Sequence, residues 1–441
     1  MADEFDCIVI GSGPGGYVAA IRAAQLGMST AVVEKDVVGG RCLNYACIPA
    51  KAVLRTADIL SEVDEAGEFG IDVPSRTVDF GKVGERRKSV ISTLTGGVAG
   101  LFKKNKIEYV EGEGKLVDGK TVQVGDRTLT ATKGILLATG SVKKPLPGFE
   151  FGGKVIGTEE AWNLDTLPEK LVVVGAGASG SEIASAYARL GTQVALYEAL
   201  DRVLPTEDKD ISRAAERAFK KQGIEVHTGE FASPDLDADY IVIAAGRAPD
   251  VEGLGLDAAG VKLAENGLLE VDGRLRTSVE GVWAIGDLVP GPALAHKASD
   301  EGVIAVEDMA GLDTHPIVYV DVPRATFCQP NVASFGLTEA QAKEAGYDVV
   351  VGKVPYGAVG AGTVYGDRAG MIKVVGETKY GELLGGHIVG AKATELIQEL
   401  VNVRALEGGY QEVARIVHGH PTLSEGVMEA ARAADGWLIH G

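Results

Sequence analysis

Phe5-Asp6-Cys7-Ile8-Val9-Ile10-Gly11-Ser12-Gly13-Pro14-Gly15-Gly16 opens the chain's first structural unit. The run from Phe5 to Ile10 is short, apolar and closed by glycine, the pattern of a buried parallel strand. Beyond it, Ala19, Ala20, Ile21, Ala24 and Leu26 recur at helical spacing until Gly27 stops the helix. A second strand, Ser29 to Val33, ends at Glu34. Strand, glycine turn, helix, strand and terminal acid in this order make a dinucleotide-binding unit. Gly11, Gly13 and Gly16 let the backbone approach a pyrophosphate at the helix N-terminus, and Glu34 takes a ribose hydroxyl pair. A glycine triplet alone is a weak signal, but this context makes it specific. Cys7 falls in the core of the first strand, where a thiol is inert.

The pattern recurs. Leu171-Val172-Val173-Val174 leads into Gly175-Ala176-Gly177-Ala178-Ser179-Gly180, and a helix carrying Ile183, Ala184 and Tyr187 stops at Gly191. The next strand, Gln193 to Tyr197, ends at Glu198. From Gly11 to Glu34 and from Gly175 to Glu198 the separation is the same, 23 positions. Gly175, Gly177, Gly180 and Glu198 therefore repeat the roles of the first set. Two such units imply two nucleotide cofactors; the alternative is that the second unit is scaffold only. A carboxylate at Glu198 bonds a 2′-hydroxyl and repels a 2′-phosphate, which favours NAD over NADP. Arg202, in the run Glu198-Ala199-Leu200-Asp201-Arg202, is expected to be solvated.

Just after the first unit lies Gly39-Gly40-Arg41-Cys42-Leu43-Asn44-Tyr45-Ala46-Cys47-Ile48-Pro49-Ala50-Lys51, with two of the chain's four cysteines. Their spacing is wider than a thioredoxin-type or zinc-type pair. Pro49 places the segment at a helix start, where a missing N–H does no harm. A thiol there has its thiolate stabilised by the helix dipole, as disulfide exchange requires. The expectation is a redox-active disulfide, Cys42 with Cys47; two ordinary buried cysteines are the alternative.

The whole chain sets the limits. Its 441 residues allow two to four domains, and 45% hydrophobic, 24% charged and 60 glycines suit a soluble α/β protein with tight turns. The net charge of −19 disfavours nucleic acid and anionic membranes as partners. No apolar run reaches the roughly 20 residues of a membrane span. Met1-Ala2-Asp3-Glu4 is acidic and unlike a secretory signal, so a cytoplasmic protein is expected.

Near the C-terminus stands His418-Gly419-His420-Pro421-Thr422-Leu423-Ser424-Glu425. Imidazole titrates where a dithiol must lose its proton, and a carboxylate behind it fixes the tautomer. Thr422 and Glu425 also satisfy the spacing of a helix capping box, which would leave His420 a surface residue.

The segment from Gly39 to Lys51 resembles the redox-active segment of the flavin-dependent pyridine nucleotide–disulfide oxidoreductases, and the likeness extends over nearly the whole chain. It implies that Cys42 exchanges with a dithiol, that Cys47 lies against the flavin, that His420 is the base and that Glu425 orients it. It implies FAD on the first unit and NAD on the second. Ile135-Leu136-Leu137-Ala138-Thr139-Gly140 and Ile241-Val242-Ile243-Ala244-Ala245-Gly246 are similar to the family's closing strands and turns. Gly281-Val282-Trp283-Ala284-Ile285-Gly286-Asp287 resembles its second flavin motif, with Asp287 accepting from the ribityl chain and Ala295 opening a helix near the ring. Lys51 is placed beside the flavin N5, paired with Glu182; a surface lysine is the plain alternative.

The implied fold is α/β, two Rossmann-like dinucleotide-binding domains plus a C-terminal α+β dimerisation domain. Boundaries are set at 1–146 with 276–316 for FAD, 147–275 for NAD and 317–441 for dimerisation. In that last stretch, strands are expected at Ile317–Val320, Val349–Val354, Met371–Val375 and Leu383–Ile388, and helices at Glu339–Ala345 and Ala393–Arg404. Cys328 is expected to be structural. The implied activity is oxidation of protein-bound dihydrolipoyl groups by a homodimer whose sites are shared across the interface, serving a 2-oxoacid dehydrogenase complex or other lipoyl carrier. An NAD(P)H-dependent reductase of another disulfide, and a non-catalytic flavoprotein subunit, are the rival readings. Departures from the family pattern are Ala46, Ala50 and the pair Ala178-Ser179.

Overall fold

Why the apolar runs become strands is plain from their burial: Cys7, Ile8 and Val9 are fully buried, as are Ile135, Leu136 and Leu137. The computed structural model describes residues 3–441. The chain divides into two compact units, Met1–Ala52 with Lys82–Lys144 and Gly246–Tyr319, and Val53–Gly81 with Pro145–Ala245 and Val320–Gly441.

In the first unit, Glu108–Glu111, Thr30–Glu34, Asp3–Ile10 and Arg127–Leu137 lie side by side and parallel, in that order. Thr121–Val124 and Gly114–Leu116 extend this sheet antiparallel, and Val282–Ala284 pairs parallel with Arg127–Leu137. The register sets Val9 opposite both Val32 and Leu136. The Pro14–Gln25 helix buries Ala19, Ala20 and Ala23, small residues that allow close packing. Burial pushes the Cys7 thiol up to about 12, so this cysteine stays protonated.

The second unit holds two sheets. One is parallel, in the order Glu225–Thr228, Gln193–Glu198, Lys170–Val174, Tyr240–Ile243 and Val155–Gly157. The other is antiparallel, in the order Arg324–Thr326, Val332–Gly336, Leu383–Val389, Met371–Glu377 and Val349–Pro355. Strands foreseen from Val349, Met371 and Leu383 are present, as are the helices Glu339–Glu344 and Ala393–Ala405. The strand expected at Ile317–Val320 is not. Tyr319–Asp321 is a 3-10 turn instead: the β-branched run is short and stands between Pro316 and Pro323, with Val318 and Val320 exposed. Cys328 is buried, and its thiol donates to the Pro330 carbonyl at 3.2 Å. Arg202 is tied down rather than solvated, bonded to Asp201 and to the Pro205 carbonyl, each at 3.0 Å.

One row of paired residues crosses the antiparallel sheet: Arg324 opposite Ser334, Ser334 opposite His387, His387 opposite Lys373 and Lys373 opposite Lys353. Directly opposed residues share a face, so this row presents a line of basic groups. The acids around the start of the Lys209–Lys221 helix receive it. Lys373, 1% exposed, reaches Asp208 at 2.8 Å, Asp210 at 2.9 Å and Glu339 at 2.8 Å. Lys353 meets Asp210 at 2.5 Å, and Arg324 approaches Glu207 at 3.5 Å. Burial would raise the Asp210 carboxyl, but bonds from Lys353 and Lys373 outweigh it and bring it down to about 2. Lys343 and Lys373 hold Glu339 at about 2 as well.

Lys373→Ala leaves Asp208 buried beside an empty volume and should destabilise this unit by about 3–5 kcal/mol, read as a lower denaturation midpoint. Because Asp210 and Glu339 titrate below their unfolded values, their contribution is complete above the ordinary carboxylate range. It is lost as pH falls toward about 2. The midpoint of the parent protein should therefore fall on acidification more steeply than that of the variant.

Candidate active site

Both glycine turns have one geometry. Gly11 has φ +104° and Gly175 φ +102°, conformations that side chains resist. A Cβ on Gly16 would overlap the Gly11 carbonyl oxygen, and one on Gly180 would overlap that of Gly175. A Cβ on Gly13 or Gly177 would meet nothing within 4 Å. These two glycines begin the Pro14–Gln25 and Ala178–Leu190 helices, and no side chain caps either start. The first-turn N–H groups are thus available to a phosphate.

Each terminal glutamate binds its own turn in the same way. Glu34 Oε2 accepts from the N–H and hydroxyl of Ser12, both at 2.8 Å, and Oε1 accepts from Asp36 N–H at 3.0 Å. Glu198 Oε2 accepts from Ala176 N–H at 2.8 Å, and Oε1 from Leu200 N–H at 3.0 Å. A carboxylate offers about four lone-pair sites, so each glutamate retains acceptor capacity for ribose hydroxyls.

The cysteine segment is packed directly on the first turn: a Cβ on Gly40 would lie 2.7 Å from Gly13 Cα. Gly39 (φ 89°) and Gly40 (φ 58°) start a short helix, Gly40–Asn44, that carries Cys42. Asn44 ties it back through Nδ2 to the carbonyls of Val38 and Gly40, at 3.0 and 2.8 Å. Cys47 then opens the Cys47–Glu65 helix, with Pro49 in its first turn and Lys51 one turn on. Between these two helix starts Cys42 and Cys47 share a side-chain hydrogen bond. That bond, followed by burial, pushes the Cys42 thiol far up, while Lys51 and Arg41 pull it down.

Thr139 and Gly140 follow the Arg127–Leu137 strand of the first unit. The Thr139 hydroxyl donates to the Asp250 carbonyl at 2.6 Å, and Asp250 N–H returns a bond to Gly140 O at 2.9 Å. Gly246 (φ 129°) precedes Arg247–Pro249, which pairs antiparallel with Ser141–Lys143. Asp287 accepts from the Ser141 hydroxyl at 2.5 Å, and Arg247 Nε donates to that hydroxyl at 2.8 Å. Behind Asp287, both faces of the Gly286 peptide are held by a buried pair on the Ala295–Met309 helix. Lys297 donates to Gly286 O at 2.8 Å and Glu301 accepts from Gly286 N–H at 2.7 Å. Tyr319 adds a 2.6 Å bond to Glu301, whose carboxyl burial raises.

In the second unit Glu182 is 5% exposed and accepts from Phe327 N–H at 2.9 Å. His420 Nδ1 lies 2.9 Å from Glu425 Oε1, while Glu425 Oε2 accepts from Thr422 N–H at 2.9 Å. The expected capping box does not form: the Glu425–Ala434 helix begins at Glu425 itself, with Ser424 at its N-cap and no side-chain cap, so Glu425 orients His420 and holds the Thr422 amide ahead of the helix. Burial would raise Glu425; the Thr422 amide, His420 and His418 outweigh it and hold the carboxyl low. Because a carboxylate only accepts, His420 Nδ1 carries an N–H, and in the neutral ring the lone pair is on Nε2.

The family pattern described as pyridine nucleotide-disulphide oxidoreductase matches residues 5–302, and that of its dimerisation domain matches residues 322–431. The chain belongs to this family. It is 42% identical to a dihydrolipoyl dehydrogenase of Bacillus subtilis (strain 168), covering 99% of this chain and 98% of that one. Identity is also 42% to a dihydrolipoyl dehydrogenase of Geobacillus stearothermophilus, over 100% and 98%. Among solved structures, LpdA from Mycobacterium tuberculosis superposes with TM-score 0.89 at 26% identity, over 97% and 99% of the two chains. The HOCl-induced flavoprotein disulfide reductase RclA from Escherichia coli does so with TM-score 0.86 at 26% identity, over the same shares.

Membership of the pyridine nucleotide–disulfide oxidoreductases implies binding of FAD and NAD. The residues fit two dinucleotides: space before Gly13 and Gly177, uncapped helix starts, and glutamates with acceptor capacity left. Ser12, Ser141, Arg247, Lys297, Glu301 and Tyr319 support the site without having been singled out in the sequence. Only the four-residue spacing of Lys297 and Glu301 is a local signal; the other partners meet across long separations.

The two kinds of glycine separate by substitution. Gly180→Ala forces a methyl into the Gly175 carbonyl and should cost roughly 1–3 kcal/mol. Gly177 has an ordinary extended backbone (φ −69°), so Gly177→Ala should keep the unfolding midpoint while its methyl obstructs the helix start and weakens NADH binding. Thermal unfolding beside NADH titration checks both.

Proposed function

We propose that the chain is a dihydrolipoyl dehydrogenase, acting as a cytoplasmic homodimer on protein-bound dihydrolipoyl groups with FAD as prosthetic group and NAD⁺ as hydride acceptor. Its partner is a lipoyl-bearing protein of a 2-oxoacid dehydrogenase complex or another lipoyl carrier. The observation that carries this reading is the Cys42–Cys47 contact at two helix starts, packed on the first glycine turn. Near-full-length identity to dihydrolipoyl dehydrogenases supports the choice of substrate.

In the reaction, Nε2 of His420 accepts a proton from one dihydrolipoyl thiol, and Glu425 stabilises the imidazolium through Nδ1. The thiolate attacks Cys42 of the oxidised pair, and Cys47 leaves as a thiolate. The second dihydrolipoyl thiol attacks the mixed disulfide, its proton passing to the departing Cys42 sulfur as the lipoyl disulfide closes. Two electrons now reside on the cysteine pair. Bound flavin supplies the chemistry that returns the pair to the disulfide and passes those electrons as hydride to NAD⁺. Lys51 and Glu182 are assigned to the flavin's N5 side, Asp287 to its ribityl chain and the Ala295 amide to the ring.

Sharing of His420 and Glu425 with the other subunit's cysteines is supported by the dimerisation-domain match. It is also supported by the apolar surface beside them, where Ile416 is 50% and Val417 93% exposed.

The test is anaerobic: purified protein, NAD⁺ and either dihydrolipoamide or a reduced lipoyl domain. NADH should form, and Cys47→Ser should abolish its formation while leaving flavin content intact. Reduction of the flavin by NADH without any dithiol turnover would overturn the assignment in favour of another disulfide substrate.

A further inference from the structure

His418 is two residues from His420, and its ring is held quite differently. Nδ1 lies 2.9 Å from the Ile416 carbonyl and Nε2 lies 2.6 Å from Glu399 Oε1. A carbonyl and a carboxylate both accept only. A neutral imidazole has a single N–H, so it can serve one of them and would set its other lone pair against the second. The geometry is satisfied by the imidazolium, with both ring nitrogens donating.

We propose that His418, held as a cation between Glu399 and the Ile416 carbonyl, is a positioning residue that fixes the 418–425 segment and so aims His420 at its substrate. This rests on the reading of His420 as the base. The side chain of His418 is 5% exposed, against 75% for His420. One imidazole is therefore an internal fastener and the other faces the reaction. Glu399 belongs to the Ala393–Ala405 helix, so the fastener joins the histidine segment to a different element from the one that carries Glu425. The charged groups acting on His418 are Glu399 and, from the Glu425–Ala434 helix, Arg432 and Glu425. Glu399 raises its basicity, burial and Arg432 oppose, and the net direction is upward. The His418 cation also helps keep Glu425 ionised, the state in which Glu425 accepts from His420.

The sign of the pH dependence follows. A group whose folded value is raised keeps its pairing below that value and loses it as pH rises through it. In the parent protein the fastener holds to a higher pH than a free imidazole, which titrates near about 6.5. In Glu399→Gln the neutral ring can donate from Nδ1 to the Ile416 carbonyl and accept at Nε2 from the new amide, so the pairing no longer depends on a proton.

The experiment measures kcat/KM for dihydrolipoamide from acid to alkaline pH in the parent, Glu399→Gln and His418→Gln proteins. Flavin content and unfolding midpoint serve as folding controls. For Glu399→Gln, the ratio of variant to parent activity should rise on the order of tenfold as pH climbs past the imidazole range, since only the parent needs the ring proton to keep both bonds. His418→Gln, which has no titrating group, should be depressed by a similar factor at every pH. A Glu399→Gln ratio that does not change with pH, or parent-like activity in His418→Gln, overturns the proposal. His420→Gln tests the underlying reading separately: if it still oxidises dihydrolipoamide at the parent rate, the base assignment falls. If it is inactive while Glu399→Gln and His418→Gln remain parent-like, only the positioning role falls.

Discussion

The contact on which both nucleotide units depend is between a glycine and a carbonyl: Gly16 against Gly11, and Gly180 against Gly175. No side chain fits in either gap. Such contact brings the helix start down onto the strand end and fixes the direction in which the free N–H groups point. Everything that has to meet a dinucleotide is placed relative to that approach. In the first unit the cysteine segment is included, because Gly40 rests on Gly13 with no room for a side chain between them. A redox pair built on a fingerprint turn in this way inherits its position from backbone packing, without relying on long side chains.

A different economy operates in the second unit. A chain of net charge −19 places Arg324, His387, Lys373 and Lys353 in one row across its antiparallel sheet, against Glu207, Asp208 and Asp210. Buried ion pairs of this type are seldom a cheap source of stability, since desolvation opposes the attraction. Their value is in register: a one-residue slip of any strand would turn its basic group to the other face. Asp208 also accepts from Asp210 N–H at the start of the Lys209–Lys221 helix, so a helix cap and a sheet register are secured by one carboxylate.

What could be read from the sequence was what is local. Glycine spacing, the acid at each strand end and the helix start around Pro49 all depend on neighbours within about one turn or one strand, and each stands where it was expected. The His420–Glu425 contact was also legible, although the spacing alone posed a choice between capping and orienting; the helix starts at Glu425 itself, so the carboxylate orients His420 without capping the helix. Legibility ended where partners are far apart. Ser141 reaches Asp287, Lys373 reaches Asp208, and His418 reaches Glu399 through the fold, with no periodic signal to announce them. The short strands Arg324–Thr326 and Val332–Gly336 lacked alternation because the second is buried on both faces. At Ile317–Val320 β-branched composition pointed the wrong way, since the run is short and flanked by prolines.

Glu34 and Glu198 each satisfy backbone amides of their own loop before any cofactor arrives. This makes them structural acceptors in addition to the ribose recognition expected of them, and it ties two traits together. Exchanging Glu198 for a basic side chain in order to admit a 2′-phosphate would also strip the acceptor from the Ala176 and Leu200 amides. Cofactor preference in this chain is thus linked to loop order. An evolutionary or engineered route to a different nicotinamide would have to pass through a second change that supplies those amides with a new acceptor.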